Sequence, residues 1–544
     1  MKKITLLLIL NFSFLIFNSS AQAPAWLWAI GAGGVSSEQG NGVTTDASGN
    51  VLATGNFFSP SITFGATTLM LNGTQDIFIV KFDNSGNVLW AKREGGISST
   101  YSNSIATDVN GNIFVTGMFG GTSITFGTTT LTNAGGGFYD MFIVKYDPSG
   151  NVLWAKKAGG SDWDEGKGVS TDASGNVFVT GQYKSSSIVF GATTLTNSGL
   201  VDVFTVKYDG SGNVLWAKKG GGSANGYGYG ISADASGNAF ITGSFASLIV
   251  FGTDTLTATG SPSIFTVKYD TSGNVLWAKS PTGGGYGLSI ATDGGGNAAV
   301  TGWFGGPITF GSTTLTNAGG ADVFIAKYDG SGNELWAKGG GGTSDDYGLG
   351  ITTDATGNII AAGGFLGPSI TFGTTTLTNS GSGNNDLFVA KYDGSGNVLW
   401  ATSANGTGND AGAGVSTDAS GDVFVTGSFN GAPITFGSTT LTNAGINDFF
   451  IAKLAGTVGV NEINGEGNTV SLFPDPAINE LRIQNAEFRI ESIDVSDVLG
   501  QKYNSIFNIQ NSTLTIDVST LSPGIYFVKV RGGKEERVAK FVKQ

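Results

Sequence analysis

Neither cysteine nor histidine occurs among the 544 residues of this sequence. Disulfides, Cys/His zinc sites, haem attachment, thiol nucleophiles and Ser-His-Asp triads are therefore all excluded. Carboxylates remain as the main groups for acid–base chemistry. We expect a protein that is not an enzyme, or an enzyme that works with carboxylates alone.

Basic residues and proline are also scarce. The chain has 28 Lys and Arg against 41 Asp and Glu, a net charge of −13, and only 11 Pro. An acidic chain argues against binding to nucleic acid or to an anionic membrane. Glycine, by contrast, reaches 89 residues, and aromatic residues make up 11%. This combination is typical of many short strands joined by tight turns.

One apolar run stands at the N-terminus, over residues 4–17, between a basic start and the small-residue stretch NSSAQA. This order predicts a signal peptide, residues 1–21, cleaved after Ala21. The alternative, a membrane anchor, is disfavoured because a span needs about 20 apolar residues. We expect an exported protein with no transmembrane helix in the mature chain and no cofactor.

The sequence repeats itself seven times with a period of about 62 residues. The Trp of the motif LWA falls at positions 28, 90, 154, 216, 277, 336 and 400. Each repeat reads as about four strands with two D-x-S-G-N turns, in which Asp accepts backbone hydrogen bonds and Gly adopts the left-handed conformation. Four antiparallel strands per repeat are typical of a propeller blade. The sequence thus predicts an all-β fold with a seven-bladed β-propeller over residues 22–455.

The first LWA motif has no turn before it, and the seventh repeat ends at DFFIAKL (448–454) without an outer strand. We predict that the N-terminal strand completes the last blade and closes the ring. An open solenoid is the alternative, but solenoids usually carry polar terminal repeats, and here the terminal repeats are as apolar as the others.

The stretch TDASGNVFVTG (171–181) resembles the SBBP repeat, a bacterial β-propeller repeat with a signature close to D-x-x-G-N-x-x-V-T-G. The resemblance covers all seven repeats. It implies the fold and says little about activity.

The composition changes after a small polar linker, residues 456–469, and residues 470–544 carry four of the five arginines. Strand-like runs there predict a small C-terminal β-sandwich. The tail resembles the type A C-terminal sorting domain of the type IX secretion system of Bacteroidetes-type bacteria, although Phe473 and Asp475 stand where the family has Tyr and Asn. The matching residues are Phe473, Pro474, Asp475, Pro476, Leu481, Asp497, Gly500, Leu521, Gly524, Tyr526 and Lys540.

That resemblance implies recognition by the type IX machinery, passage across the outer membrane and removal of the tail. The mature protein would then be secreted or attached to the outer-membrane surface. An ordinary C-terminal sandwich module is the alternative.

The two D-x-S-G-N turns of each repeat lie at one end of its strands, and the segments at the other end vary between repeats. Aromatic residues beside carboxylates in those segments suit stacking on, and hydrogen bonding to, a sugar. The candidate ligand-binding residues are Tyr101, Asp162, Trp163, Asp164, Tyr227, Tyr286, Trp303, Asp345, Asp346 and Tyr347. The repeated turns could instead suggest Ca²⁺, but each offers few of the six to eight oxygens that Ca²⁺ takes.

These observations favour an exported binding or adhesion module for glycans or proteins. A structural surface or matrix component is the first alternative. A carboxylate-based glycosidase or lyase is the second, with Asp164 and Asp345 as the acid pair. The third is a quinone-dependent dehydrogenase, because YDGSGNVLWAK is similar to the Trp motif of pyrroloquinoline quinone propellers; those have eight blades and a dedicated pocket.

Overall fold

The computed structural model describes residues 23–135, 137–381, 383–404 and 406–456 of the repeat region. In the tail it describes 471–473, 477–484, 492–497, 502–503, 507–510, 513–532 and 535–543. The predicted signal peptide and nearly all of the predicted linker lie outside these residues. The chain divides into two compact units, residues 1–458 and 459–544. The described parts of both are all-β, and no helix there could cross a membrane.

The described part of the first unit contains seven sets of four antiparallel strands, numbered here as sheets 1 to 7 in chain order, each with an inner, a second, a third and an outer strand. The inner strands are Glu38–Thr45, Thr100–Thr107, Asp164–Thr171, Gly226–Ala233, Gly285–Thr292, Asp346–Thr353 and Asp410–Thr417. The second strands are Val51–Phe57, Ile113–Phe119, Val177–Tyr183, Ala239–Phe245, Ala298–Phe304, Ile359–Phe365 and Val423–Asn430. The third strands are Asp76–Phe82, Asp140–Tyr146, Asp202–Tyr208, Ser263–Tyr269, Asp322–Tyr328, Asp386–Tyr392 and Asn447–Leu454. The outer strands of sheets 1 to 6 are Val88–Glu94, Val152–Ala158, Val214–Gly221, Val275–Lys279, Glu334–Gly341 and Val398–Ser403.

The N-terminal strand Trp26–Ala32 is the outer strand of sheet 7, where Trp28 pairs with Lys453 and Ala29 with Ala452. The inner strands contact one another in chain order, and that of sheet 7 contacts that of sheet 1. Between these two sheets, Thr45 Oγ1 donates to the carbonyl of Thr417 over 2.8 Å. The β-propeller fold is confirmed, and so is the predicted pairing of the N-terminal strand with the last repeat.

The repeated Trp and Lys bind each sheet to the next one. Trp90 Nε1 and Lys81 Nζ of sheet 1 both donate to the carbonyl of Pro148, in the second turn of sheet 2, at 3.3 Å. Lys81 also forms a buried ion pair of 2.9 Å with Asp46, in the first turn of its own sheet. Both turns therefore lie at the same end of the strands, as predicted, and the Trp packs between sheets.

A feature that the sequence analysis did not assign is a short hairpin between the second and third strands of every sheet. Its Phe packs on a Phe of the third strand; in sheet 1 the ring centroids of Phe64 and Phe78 are 5.0 Å apart. The hairpins of sheets 4 and 6 also pair with the outer strand of the preceding sheet, which covers that edge. The hairpin strands are Ser61–Phe64 and Thr67–Met70, Ser123–Phe126 and Thr129–Thr132, Ser187–Phe190 and Thr193–Thr196, Leu248–Phe251 and Asp254–Thr257, Ile308–Phe310 and Thr313–Leu315, Ser369–Phe372 and Thr375–Thr378, and Ile434–Phe436 and Thr439–Leu441.

The tail forms two four-stranded sheets that share one core, so the predicted sandwich is confirmed. In sheet order the strands are Ser471–Phe473, Glu480–Gln484, Thr513–Asp517 and Phe507–Gln510, then Lys502–Tyr503, Ser492–Asp497, Gly524–Gly532 and Glu535–Lys543. Of the sorting residues, Leu481, Leu521 and Tyr526 are buried, whereas Gly524 and Lys540 are exposed. Pro474, Asp475, Pro476 and Gly500 lie outside the described residues. Phe473 and Asp497 end their strands.

Candidate functional site

The end of the propeller opposite the turns, called the mouth here, carries one cross-strand pair from each sheet, between the inner and second strands. In sheet 1 this pair is Gln39 and Asn56, and in sheet 3 it is Glu165 and Gln182. The other pairs are Tyr101 and Met118, Tyr227 and Ser244, Tyr286 and Trp303, Tyr347 and Gly364, and Ala411 and Ser428. No two pairs are alike. The mouth therefore differs from one sheet to the next, whereas the turn end is nearly the same in every sheet.

Each inner strand contains a β-bulge two residues beyond this pair. The extra residue is flanked by Gly or Ser, because neighbouring inner strands approach closely there; a Cβ on Gly230 would lie 3.0 Å from the backbone nitrogen of Ile290. Bulges re-aim a side chain out of the strand's regular alternation, and these line the central channel. The bulged residues are Asn41, Asn103, Lys167, Tyr229, Leu288, Leu349 and Ala413.

The channel is narrow, and both polar and apolar residues line it. A cavity of about 180 Å³ on the axis is lined by all seven inner strands. Its walls include β-branched residues from six of the seven inner strands, each at most 8% exposed: Val43, Ile105, Ile231, Ile290, Ile351 and Val415. A cavity of about this size admits a single small ring such as benzene, so a larger ligand has to bind at the mouth.

A larger cavity, of about 410 Å³, lies at the mouth over sheets 1 to 4. Four aromatic rings line it, those of Tyr101, Trp163, Tyr227 and Tyr229. The remaining lining is polar apart from Met118: Gln39, Asn41, Asn56, Asn103, Glu165, Lys167 and Gln182. The cavity thus combines flat apolar surfaces with closely spaced donors and acceptors.

Glu165 organises the polar wall of this cavity. Its buried carboxylate accepts hydrogen bonds from Asn103 Nδ2 and Gln182 Nε2, both at 3.0 Å, and forms a 2.7 Å ion pair with Lys167. The pair neutralises the charge of Lys167. Gln182 Oε1 is buried and has no hydrogen-bond partner in the described protein.

Trp163 forms the outer wall of the cavity and is 45% exposed. Its ring lies 5.9 Å from that of Tyr139, which in turn lies 5.7 Å from Tyr101. The adjacent Asp162 accepts the backbone N–H of Trp163 and forms an ion pair of 3.3 Å with Lys184. Asp162 therefore stabilises the conformation of this loop, and Lys184 compensates its negative charge.

A second aromatic group lies over sheets 5 and 6. Tyr286 stacks on Trp303 with ring centroids 4.4 Å apart, and Tyr347 meets Trp303 edge-on at 5.7 Å. Tyr229 connects this group to the cavity, because its ring lies 6.2 Å from Tyr227 and 6.4 Å from Tyr286.

Two of the carboxylates predicted to bind a ligand do not reach the surface of the mouth. Asp164 and Asp346 are fully buried. Asp164 accepts the N–H of Gly160 and the hydroxyl of Ser185, both at 2.7 Å, and Asp346 accepts the N–H of Gly342 at 2.7 Å. Burial raises the pKa of Asp164 to about 6 and that of Asp346 to about 7. Their structural role takes both residues out of the candidate ligand-binding set.

The acid pair Asp164 and Asp345 does not form a catalytic site either. Asp164 begins the inner strand of sheet 3, whereas Asp345 precedes that of sheet 6 and accepts the N–H of Ala321 at 2.8 Å. A glycosidase requires two accessible carboxyl groups that flank one bond. Among the described residues, no group of three or more acidic side chains could hold a metal ion.

Sequence reasoning missed Tyr139, whose ring lies beside those of Tyr101 and Trp163. It also missed several residues that line the cavity: Tyr229, Glu165, Lys167, Asn103 and Gln182. A signal for three of them was present. The pattern small-x-small recurs at the start of every inner strand, as SNS, GKG and GYG in sheets 2, 3 and 4, with a variable middle residue. The middle residue is the bulged one in each case.

Two family matches are found in the chain. Residues 471–544 match the secretion system C-terminal sorting domain, and residues 89–118 match the SBBP β-propeller repeat. Both resemblances noted from the sequence are confirmed.

Among curated relatives, the chain is 28% identical to an uncharacterized WD repeat-containing protein, L264, of Acanthamoeba polyphaga mimivirus; the match covers 89% of this chain and 42% of the relative. It is 32% identical to the regulatory protein FlaEY of Caulobacter vibrioides, over 28% of this chain and 17% of that protein. The chain thus spans less than half the length of these relatives. Among solved structures, the WD40 domain of Neurospora crassa Pan2 is 7% identical with a TM-score of 0.39, covering 79% of this chain and 96% of that one.

The sorting domain implies interaction with the type IX machinery and a destination at the cell surface or outside the cell. The chain is a β-propeller protein that carries an SBBP repeat and a secretion system C-terminal sorting domain.

Proposed function

We propose that this protein is a carbohydrate-binding module of the cell surface, and that the 410 Å³ cavity at the mouth holds the sugar. The observation that carries the proposal is the arrangement of that cavity. Tyr101, Trp163 and Tyr227 offer aromatic faces, which suit the apolar C–H faces of a pyranose ring, beside planar amides that suit its hydroxyl groups.

The charge of the cavity favours a neutral sugar. Lys167 is paired with Glu165 at 2.7 Å, and Asp162 with Lys184 at 3.3 Å, so no free cation is held among the described cavity residues to attract a carboxylate or sulfate. Three donors, on Asn103, Gln182 and Lys167, hold the Glu165 carboxylate in place. We therefore expect neutral glycans to bind better than uronic acids or sulfated glycans.

The route to the surface follows from the predicted processing. The signal peptide, residues 1–21, is removed on export, and the sorting domain directs passage across the outer membrane. We propose that the tail is then cleaved and that the propeller is released or attached to the surface, where the mouth meets polysaccharide.

A protein ligand is the second candidate, and exposed apolar residues on the rim loops favour it. Val35, Ile97 and Ile446 are all more than half exposed and lie on loops of sheets 1, 2 and 7. Such side chains at the edge of a cavity suit a protein partner. Binding that survives removal of all glycan from the partner would favour this reading.

The proposal is tested on a broad array of glycans and polysaccharides at neutral pH, with the protein that lacks the predicted signal peptide and still carries the tail, residues 22–544. We expect selective binding to neutral glycans. Trp163→Ala should weaken it about tenfold, because truncation of an anchoring aromatic commonly costs more than 1 kcal/mol. Leu153→Ala, half exposed on the outer strand of sheet 2 and far from the lining, is the matched control and should leave it unchanged. Equal binding by both variants, or an empty array, would count against the proposal.

A further inference from the structure

The aromatic surface of the mouth does not end at the cavity. Tyr229 is shared: its ring is 6.2 Å from Tyr227, inside the cavity, and 6.4 Å from Tyr286, outside it. From Tyr286 the surface continues to Trp303 at 4.4 Å and to Tyr347 at 5.7 Å. The aromatic rings therefore form a continuous row along the mouth from sheet 4 to sheet 6.

The group Tyr286, Trp303 and Tyr347, called the platform here, has its own polar edge. Asp345 lies close to Tyr347, and its carboxylate accepts the N–H of Ala321 at 2.8 Å. Burial comes first among the causes that raise the pKa of Tyr347, and the Asp345 carboxylate adds to it. The platform thus repeats the chemistry of the cavity, with aromatic faces beside an oxygen acceptor.

The mouth is open on the far side of the platform. In sheet 6 the position that matches Trp303 holds Gly364, and in sheet 7 both matching positions hold small residues, Ala411 and Ser428. All three platform rings are partly exposed. A chain that leaves the cavity past Tyr229 can therefore cover the platform and continue beyond it.

We infer that the platform is a second sugar subsite, and that the ligand is a linear polysaccharide whose consecutive residues occupy the cavity and then the platform. This inference rests on the proposed function. It narrows the ligand class from any glycan that fits the cavity to a polymer or a long oligosaccharide. A terminal mono- or disaccharide would occupy the cavity alone.

The test uses a ladder of oligosaccharides, from disaccharide to polymer, of the sugar type that binds on the array. Dissociation constants are measured by calorimetry for the mature protein and for three variants: Trp303→Ala, Tyr347→Ala and Trp163→Ala. Phe138→Ala is the matched control, since this aromatic residue is 50% exposed on a rim loop and belongs neither to the cavity lining nor to the platform.

For the unaltered protein we expect affinity to rise with chain length. Trp303→Ala and Tyr347→Ala should each weaken binding of the long ligands about tenfold. The affinity for the shortest ligand should stay unchanged. Trp163→Ala should weaken every length, and Phe138→Ala none. Two variants on different strands, each checked for an unchanged unfolding temperature, separate loss of the subsite from loss of the fold.

Equal affinity of Trp303→Ala, Tyr347→Ala and the unaltered protein at every length would overturn the second subsite. If Trp163→Ala still lost binding in that case, the cavity would stand as the only sugar site. Absence of sugar binding at all lengths would overturn the proposed function and this inference together.

Discussion

At the scale of single residues, this protein buries carboxyl groups in pairs at the mouth ends of its strands. Asp386 begins the third strand of sheet 6 and Asp410 the inner strand of sheet 7, and both are almost fully buried. Neither oxygen of Asp410 has a hydrogen-bond partner among the described side chains. Burial, followed by the Asp386 charge, raises the pKa of Asp410 from its ordinary 3.8 to about 7.

This shift predicts a stability that falls as the pH rises. Below pH 4 both the folded and the unfolded chain hold the Asp410 proton; between pH 4 and 7 the unfolded chain releases it first, which favours unfolding. Asp410→Asn should therefore raise the free energy of unfolding at pH 8 by roughly 2 kcal/mol, about half of what a three-unit shift implies in full. At pH 4 it should change little. Urea unfolding at both pH values measures this.

Asp83→Asn is the control, because the pKa of Asp83 is lowered whereas that of Asp410 is raised. Asp83 is an exposed turn residue, and its hydrogen bond from the Asn87 side chain leads the causes that lower its pKa. This substitution should destabilise the protein at pH 8 and lose its effect at low pH, where the carboxyl is protonated. An equal effect of Asp410→Asn at pH 4 and pH 8 would contradict the account.

At the scale of elements, the N-terminal strand holds the two ends of the propeller together. Trp26–Ala32 pairs with the third strand of sheet 7, and Trp28 Nε1 donates to the carbonyl of Asn84 in sheet 1 at 3.1 Å. Without this strand, Asn447–Leu454, which is apolar and almost wholly buried, would become an open edge. Open apolar edges promote aggregation and accept added strands.

Deletion of residues 22–32 should cost at least about 5 kcal/mol of stability, because a whole ladder of hydrogen bonds and its packing are lost. The truncated protein should aggregate, and a synthetic peptide of residues 23–34 should restore its unfolding temperature. The same peptide with Ala29→Asp should fail, since Ala29 is buried. Differential scanning calorimetry with each peptide is the measurement. A truncated protein as stable and soluble as the parent would refute this role.

Much of the element order was predictable because the repeat supplies seven copies of each landmark. Trp28 without a preceding turn even predicted which strand closes sheet 7. The hairpins were missed because strands of three or four residues, such as Thr67–Met70, show too little periodicity to separate from a loop. The bulges were missed because register depends on the partner strand, which local sequence does not describe.

The candidate site was predictable in part, for a related reason. Tyr101, Trp163 and Trp303 stand out because they break the repeat. Asp164 and Asp346 break it too, but a sequence does not show whether a carboxylate at a strand start faces solvent or caps a loop. Lys167 and Tyr229 matter through the bulge that aims them inward, which becomes visible only once the register is known.

At the scale of the whole molecule, stability and recognition are assigned to different places. The repeated turns, the Trp and Lys anchors and the apolar strands maintain the propeller, and the seven mouth positions vary freely. The tail is a separate compact unit with its own core. In the proposed function, recognition and export are thus carried by different parts of the chain.

Deletion of residues 459–544 should therefore leave the unfolding temperature of the propeller and its sugar affinity unchanged. In a bacterium with the type IX system, the same deletion should retain the protein in the periplasm. Cell fractionation and calorimetry on the same variant measure both effects. Loss of sugar binding by the truncated, folded propeller would contradict the separation.

The most direct test of the central claim is titration calorimetry of a neutral oligosaccharide into the mature protein and into the Tyr101→Ala/Tyr227→Ala variant. Both side chains line the cavity from different sheets, and neither belongs to the platform. The account predicts saturable binding by the unaltered protein and at least about a tenfold loss in the variant. Undiminished binding by a correctly folded variant would show that the cavity is not the sugar site.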